Sequence, residues 1–180
     1  MQITRPATLL RPALLALGGS IAIAASAQIN FPMQPVPMTM QSLVVLLVGV
    51  AYGWKLGAAT VLLYLAQGAM GLPVFAGFRG GVALVGPTAG YLFGFVAAAA
   101  LAGWMAARGW TRGWWRSAVT LGAGHAVIFA GGLLWLSALL GFDAAIAAGL
   151  LPFIPGTVVK VALGVALLAA LRGVLRPRQP

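Results

Sequence analysis

Six long apolar segments constrain this chain more than any other feature. They lie at about residues 10–27, 40–53, 56–71, 88–107, 119–140 and 156–173. Only 7% of the residues are charged, whereas a soluble globular domain has about 25%. The pattern therefore predicts an all-α, polytopic membrane protein: a single integral-membrane domain with six transmembrane helices.

The positive charges give these segments a direction. Eleven residues are lysine or arginine, and nine of them fall at one end of six alternating spans: Arg5, Arg11, Lys55, Arg108, Arg112, Arg116, Arg172, Arg176 and Arg178. By the positive-inside rule this end is cytoplasmic. We therefore expect a multi-pass protein of the bacterial inner membrane with both termini in the cytoplasm. The rule also accounts for the net charge of +10. We therefore expect the positive charge to face the lipid bilayer and not to bind nucleic acid.

The first segment leaves two questions open. Its end, at residues 25–27, also fits a signal-peptidase site, and the charges do not decide whether it is cleaved. Its small residues Ala16, Ser20 and Ala24 recur every four positions and so share one helix face. Such a face lets another helix approach closely, and it is the candidate surface for a partner subunit.

The stretch 70–95 cannot continue a helix, because it contains Pro73, Pro87 and seven glycines. The two segments before it, 40–53 and 56–71, are shorter than the roughly 20 residues of a straight crossing. Their outer loops are therefore expected to lie below the membrane surface. Irregular backbone is tolerated there only when it is buried in protein or lines a cavity. The sequence thus predicts a pocket at the outer end.

Arg79 and Lys160 are the two cations that break the charge pattern. Arg79 lies in the irregular stretch, and Lys160 lies about one turn into the sixth segment from its outer end. An unpaired cation within the membrane is costly, and an anionic ligand in a shared cavity would relieve both. The alternative is that both side chains extend, or snorkel, to the outer interface.

Several kinds of chemistry are excluded by composition. The chain has no cysteine, a single acid, Asp143, and a single histidine, His125. A carboxylate pair, a metal site or a catalytic triad cannot be assembled, so we expect no enzyme, metal or cofactor. Asp143 is expected to cap a short helix at 144–148. His125 lies in an apolar segment without an acidic partner, which favours a packed, neutral role over a functional one.

Four blocks of sequence resemble a known family. They are VPMTMQSLVVLLVG, YLAQGAMGLPVFAGFRGG, VGPTAGYLFGF and PFIPGTVVK, beginning at residues 36, 64, 85 and 152. They resemble the biotin-specific S component of energy-coupling-factor vitamin transporters, the BioY family. The resemblance implies a six-helix S-component fold that captures biotin from outside. It also implies a transmembrane T component and two cytoplasmic ATPases as partners. This sequence has no Walker A motif, so any ATP hydrolysis must be done by another chain.

Biotin offers a carboxylate, an apolar ring and a ureido group, and candidates exist for each. Arg79 and Lys160 are the predicted cations, and Phe75, Tyr91 and Phe93 are the predicted walls for the apolar ring. The predicted neutral hydrogen-bonding groups are Thr39, Gln41, Tyr91 and Thr157. Thr157 occupies a position where the resemblance implies an aspartate that helps to bind the ligand. Three alternatives remain: an S component for another vitamin, a membrane enzyme acting on lipid, and a non-transport membrane scaffold.

Overall fold

The computed structural model describes the backbone of residues 6–175 and the side chains of residues 10–172. Its six α-helices are α1 (Pro6–Gln28), α2 (Gln41–Ala69), α3 (Ala89–Ala107), α4 (Trp114–Leu140), α5 (Phe142–Gly149) and α6 (Phe153–Leu175). A 3-10 helix spans Gly81–Leu84, and the loop before α2 contains two paired two-residue strands, β1 (Asn30–Phe31) and β2 (Met38–Thr39). The all-α expectation is confirmed. Arg5, Arg176 and Arg178 lie outside the described residues.

Helix α2 is a hairpin of two antiparallel arms. At Gly53 the backbone has φ 77° and ψ 172°, a conformation that favours glycine. A Cβ atom on Gly57 would lie 2.9 Å from Cα of Gly49, although eight residues of continuous helix span about 12 Å. The chain therefore reverses at Gly53, between arms 41–52 and 54–69. Within the described part of the chain, five helices are long and apolar enough to cross a membrane, and the hairpin supplies the sixth long segment that the sequence predicts.

Two details at helix starts differ from expectation. Helix α4 begins at Trp114 rather than near residue 119. Helix α5 begins at Phe142, directly after Gly141, whose φ of 86° ends α4. Asp143 is therefore an exposed residue in the first turn of α5 and makes no capping hydrogen bond. The predicted cap is wrong because the positive-φ glycine occupies the capping position.

Glycines set the distance between neighbouring helices. Gly49 of α2 lies against the backbone of Ala99 in α3, and Gly90 of α3 lies against Gly131 in α4. A Cβ atom on Gly103 would lie 2.5 Å from the carbonyl carbon of Gly53. Without side chains the backbones approach closely, which is the usual way membrane helices gain packing contacts. Helices α1 to α4 pack in chain order, and α5 and α6 pack on α4.

Cations and aromatic rings gather at one end of the bundle, which we call the basic end. It comprises the Gly53 turn, the loop 108–113 and Arg172. The guanidinium of Arg108 lies 3.6 Å from the ring centroid of Trp104, and Arg172 donates to the carbonyl of Thr111. The opposite end, here the cavity end, carries the irregular loops 29–40 and 70–88 together with α5.

The small-residue face of α1 packs inside this chain. Ser20 is fully buried, and its hydroxyl donates to Gln67 in the second arm of α2. Ala16 and Ala24 are half-buried, and Ala24 packs against the core. The expectation that the Ser20 side chain is open to a partner is therefore corrected, because α2 already covers it. A partner contact through Ala16 or Ala24 stays a prediction.

Candidate functional site

A cavity opens at the cavity end, between the two irregular loops and helices α2, α3, α4 and α6. The space between these elements, including the open mouth, amounts to about 690 Å³. All six residues predicted to bind a substrate line it: Gln41, Phe75, Arg79, Tyr91, Thr157 and Lys160. Thr39 lines it too. The structure thus brings the predicted residues together, and their role in binding stays a prediction.

Phe93 is the exception among the predicted walls. It is 51% exposed on the outside of α3, and its ring packs edge-on against Trp135 at 6.5 Å. Helical periodicity explains the error, because Phe93 lies two residues after Tyr91 and therefore projects from a different face. The prediction that Phe93 forms a wall of the cavity is therefore wrong.

Arg79 lies at the mouth of the cavity and is exposed. The loop that carries it closes on itself, because the Phe75 N–H donates to the Arg79 carbonyl at 3.0 Å. The Phe75 ring fills the space beside Gly68 and packs edge-on against Tyr64 at 5.2 Å. Phe75 therefore anchors the loop, while the guanidinium stays within reach of both water and cavity.

Gln28, at the end of α1, ties that same loop to the bundle. Its Nε2 donates to the Phe75 carbonyl at 3.0 Å, and its Oε1 accepts from the Phe78 N–H at 3.2 Å. Phe78 has φ 56°, unusual for a residue other than glycine. One side chain thus bridges two backbone groups across the bend that presents Arg79.

Lys160 lies at the floor of the cavity. Only 7% of the residue is exposed, and Nζ donates to Ser42 Oγ at 3.0 Å. The only acid of the sequence, Asp143, is exposed on α5, so among the described side chains the ammonium has a hydroxyl rather than a carboxylate as its partner. The alternative that Lys160 extends to the outer interface is therefore wrong, because its ammonium is held within the bundle.

Three aromatic rings form one wall. Tyr91 stacks on Phe153 at 6.3 Å, and Phe129 packs edge-on against both rings, at 6.5 Å and 6.2 Å. The Tyr91 hydroxyl donates to the carbonyl of Gly149 at 2.8 Å. Sequence analysis missed Phe129 and Phe153, because a single phenylalanine in an apolar segment looks the same whether it faces lipid or a cavity.

Gln41 is fixed by a chain of two hydrogen bonds. Its Nε2 donates to the Tyr64 hydroxyl at 2.8 Å, and that hydroxyl donates to the Val74 carbonyl at 3.1 Å. Both Gln41 and Tyr64 are buried. The chain connects both arms of α2 to the loop that carries Arg79, so this wall is organised before a ligand arrives.

His125 also lines the cavity, and it is 3% exposed. Its Nδ1 lies 2.9 Å from the carbonyl of Leu121. A carbonyl only accepts, so Nδ1 carries the hydrogen, and a neutral ring then presents Nε2 as an acceptor. Among the described side chains, the buried polar atoms without a partner are His125 Nε2 and Thr157 Oγ1. Interpreting His125 as merely packed overlooked its place on the wall.

A comparison with protein-family profiles matches residues 2–177 to the BioY family. The chain belongs to the BioY family. Among BioY relatives, the probable biotin transporter BioY of Pyrococcus horikoshii is 42% identical over 148 residues, covering 82% of this chain and 87% of that protein. The biotin transporter BioY of Thermotoga maritima is 41% identical over 152 residues, covering 83% of this chain and 88% of that protein.

The BioY chain also resembles a solved structure, the crystal structure of the S-component for biotin from an ECF-type ABC transporter. The TM-score is 0.80, the sequences are 24% identical, and the match covers 94% of this chain and 95% of that one. At this identity the likeness establishes the fold. The expected S-component fold and family are confirmed.

Proposed function

We propose that this protein is the substrate-binding membrane subunit of a biotin transporter. Its membership of the BioY family and the names of its relatives support this. The observation that carries the proposal is the cavity, which has a cation at its mouth, another at its floor and aromatic walls between them. Biotin has a carboxylate at one end, an apolar thioether ring and a neutral ureido group at the other, so each part meets matching chemistry.

The two cations differ in burial, and this difference orients the ligand. Arg79 is exposed, so it binds the carboxylate, which stays near water and avoids most of its desolvation cost. Lys160 is buried and bonded to Ser42, so it donates to the ureido oxygen, which is polar but uncharged. The valerate chain then lies along the mouth, and the fused rings pack against Tyr91 and Phe153.

Membership of the BioY family and the S-component fold support a proposal for the rest of the assembly. The protein takes biotin from outside the bacterial inner membrane and delivers it with a transmembrane T component and two cytoplasmic ATPases. The positive-inside rule supports a cytoplasmic location for the basic end and for both termini. ATP hydrolysis belongs to the partners, and this chain binds its ligand without a catalytic step.

Equilibrium binding of labelled biotin to the purified protein tests the function. Arg79→Ala should weaken biotin binding about 10- to 150-fold, the worth of one charge-assisted hydrogen bond. The same substitution should matter little for biotin methyl ester, whose charge is already gone. Arg112→Ala is the matched control, because Arg112 is an exposed arginine at the basic end. Wild-type biotin affinity in Arg79→Ala would disprove the assigned orientation, and absence of binding in the wild type would disprove the function.

Thiol labelling tests the orientation in the membrane. The native sequence has no cysteine, so single cysteines report without background. Trp114→Cys, at an exposed position of the basic end, should resist a membrane-impermeant reagent added outside intact cells. Ala144→Cys, at an exposed position on α5, should react. The opposite pattern would reverse the proposed topology.

A further inference from the structure

We infer that His125 contacts the ligand directly: its Nε2 accepts one of the two N–H groups of a cyclic urea, and the hydroxyl of Thr157, already predicted to bind the ligand, accepts the other. The inference rests on the proposed function and adds the residues that select the head of the ligand. Its starting point is the pair of buried, unpartnered polar atoms, because both belong to residues that line the same cavity.

Helix packing places His125 at the level of Lys160. A Cβ atom on Gly164 of α6 would lie 2.6 Å from Leu121 of α4, so these two residues face each other. The helices run antiparallel, and one turn from this contact towards the cavity end leads from Leu121 to His125 and from Gly164 to Lys160. Further towards the cavity end, Phe129 lies one turn beyond His125 and Phe153 lies two turns beyond Lys160, and their rings are 6.2 Å apart, so the two helices stay in contact along this stretch.

The histidine can serve only one role at this place. Its Nδ1 hydrogen is committed to the Leu121 carbonyl. A second positive charge on the ring would be buried near Lys160, with no acidic side chain beside it among the described residues, so the neutral ring is favoured. A neutral ring with hydrogen on Nδ1 leaves Nε2 as a pure acceptor, and an N–H group of the ligand is a matching donor.

Thr157 supplies a second acceptor on the same helix face as Lys160. The two are three residues apart on α6, a spacing that brings side chains together. The floor therefore presents an ammonium donor together with two acceptors. A cyclic urea presents the complement, one carbonyl oxygen between two N–H groups. A carboxylate at the floor would instead oppose the His125 Nε2 lone pair with its own lone pairs, so the histidine favours the ureido end.

The unpartnered atoms also have a consequence for the empty protein. A buried polar atom without a hydrogen bond destabilises the fold, whereas an apolar group of the same shape does not. Thr157→Val should therefore leave the thermal midpoint of the ligand-free protein unchanged or raised, while biotin binding weakens about 2- to 10-fold.

Thr120→Val is the matched control. The Thr120 hydroxyl is fully buried but donates to the Trp110 carbonyl at 3.0 Å. The same chemical change there should lower the thermal midpoint and leave biotin affinity unchanged. If Thr157→Val also lowered the midpoint and kept wild-type affinity, the hydroxyl would have a structural role and the inference for Thr157 would fail.

His125 is tested with ligand analogues. His125→Phe keeps an aromatic ring but leaves a ligand N–H unpaired, so biotin binding should weaken about 5- to 150-fold. His125→Gln restores an acceptor and should recover part of that loss. Two biotin analogues, each methylated on one ureido nitrogen, provide the second readout. For one of them, His125→Phe should cost much less than it costs for biotin.

The outcomes separate this inference from the proposed function. Biotin binding by the wild type, with equal affinity in His125→Phe, would overturn only the assignment of His125. An equal loss for biotin and both methylated analogues would show that the ring acts through packing, and would overturn it as well. Failure of the wild type to bind biotin would overturn the function and the inference together.

Discussion

Buried polar groups are treated differently at the two ends of the bundle. At the basic end, Ser117 Oγ donates to the Gly113 carbonyl at 2.8 Å, and Thr120 Oγ1 donates to the Trp110 carbonyl at 3.0 Å. At the cavity end, His125 Nε2 and Thr157 Oγ1 have no partner. Similar side chains thus close the loop 108–113 at one end and stay open to the cavity at the other. The basic end uses these hydrogen bonds for folding, whereas the cavity end leaves two buried polar atoms open beside bonded groups such as Gln41 and Tyr64.

The same contrast holds for packing. At the basic end Gly103 lets α3 approach the turn at Gly53 so closely that no side chain fits between them. At the cavity end Gly90 still lets α3 approach α4, but the next residue, Tyr91, contributes its ring to an aromatic wall beside open space. Substitutions at the basic end should therefore change stability more than affinity, and substitutions of the cavity groups that are proposed to contact the ligand should do the reverse.

The largest effect is expected for a side chain inserted at the basic end. In Gly103→Leu the new Cβ alone meets backbone atoms of Gly53 and Trp54, both at 2.5 Å. Overpacking against backbone should cost at least the upper part of the usual range of about 1–3 kcal/mol. The thermal midpoint in detergent measures this loss. The control Gly122→Leu places its Cβ where no atom lies within 4 Å, and equal midpoints in the two variants would contradict the packing contrast.

Lys160→Met should give the next largest effect, and it should lower the affinity for biotin rather than the stability of the protein. Binding of biotin should weaken about 10- to 150-fold, because a charge-assisted bond is lost. The thermal midpoint of the empty protein should not fall, because removing a buried charge that lacks a carboxylate relieves its desolvation. Lys55→Met, an exposed cation at the basic end, should change neither quantity. A drop in stability without a loss of affinity would make Lys160 a structural residue.

The sequence reveals much of this site, because a charge in an apolar chain is conspicuous. Arg79 and Lys160 break the charge pattern, and both line the cavity. The sequence does not reveal residues that differ from their neighbours only in the direction of their side chains. Phe129 and Phe153 belong to apolar segments, and periodicity does not show that they meet across two helices.

The wrong predictions for Ser20 and His125 share another cause. In each case the hydrogen-bond partner that explains the side chain cannot be recognised from the spacing of residues in the sequence. The spacing of small residues on α1 predicts a contact face but not that Gln67 already occupies it. For His125 the absence of an acid suggests a packed ring, whereas its orientation comes from the Leu121 carbonyl. Sequence spacing carries no information on which ring nitrogen is left open.

Tyr91→Phe is expected to have a smaller effect, and to act on stability. The Tyr91 hydroxyl already donates to the Gly149 carbonyl, so towards a ligand it can only accept. Loss of the bond should cost about 0.5–1.5 kcal/mol of folding free energy, seen as a lower thermal midpoint. The ring itself remains, so biotin affinity should change less than about 3-fold, equivalent to roughly 0.7 kcal/mol. A much larger loss of affinity would mean that the hydroxyl contacts biotin.

The smallest effect is expected for Gln28→Ala, and it tests how the mouth is held. Gln28 contributes two hydrogen bonds to the loop that presents Arg79, yet it touches neither the floor nor the aromatic wall. Its loss should let the loop sample other positions without altering the groups that bind. We therefore expect affinity to fall only about 2- to 5-fold, below the roughly 1.4 kcal/mol of a tenfold change, mainly as faster release of biotin.

Two comparisons decide whether that effect passes through Arg79. In an Arg79→Ala background, Gln28→Ala should add almost nothing, because the group that it positions is gone and the two changes are not independent. Gln67→Ala is the matched control. It removes another glutamine that joins α1 to α2, through Ser20, but leaves the loop bonds intact. Release rates measured by stopped-flow should rise for Gln28→Ala and not for Gln67→Ala. Equal rises in both variants would show that the packing of α1 on the bundle, rather than the positioning of Arg79, governs the rate of biotin release.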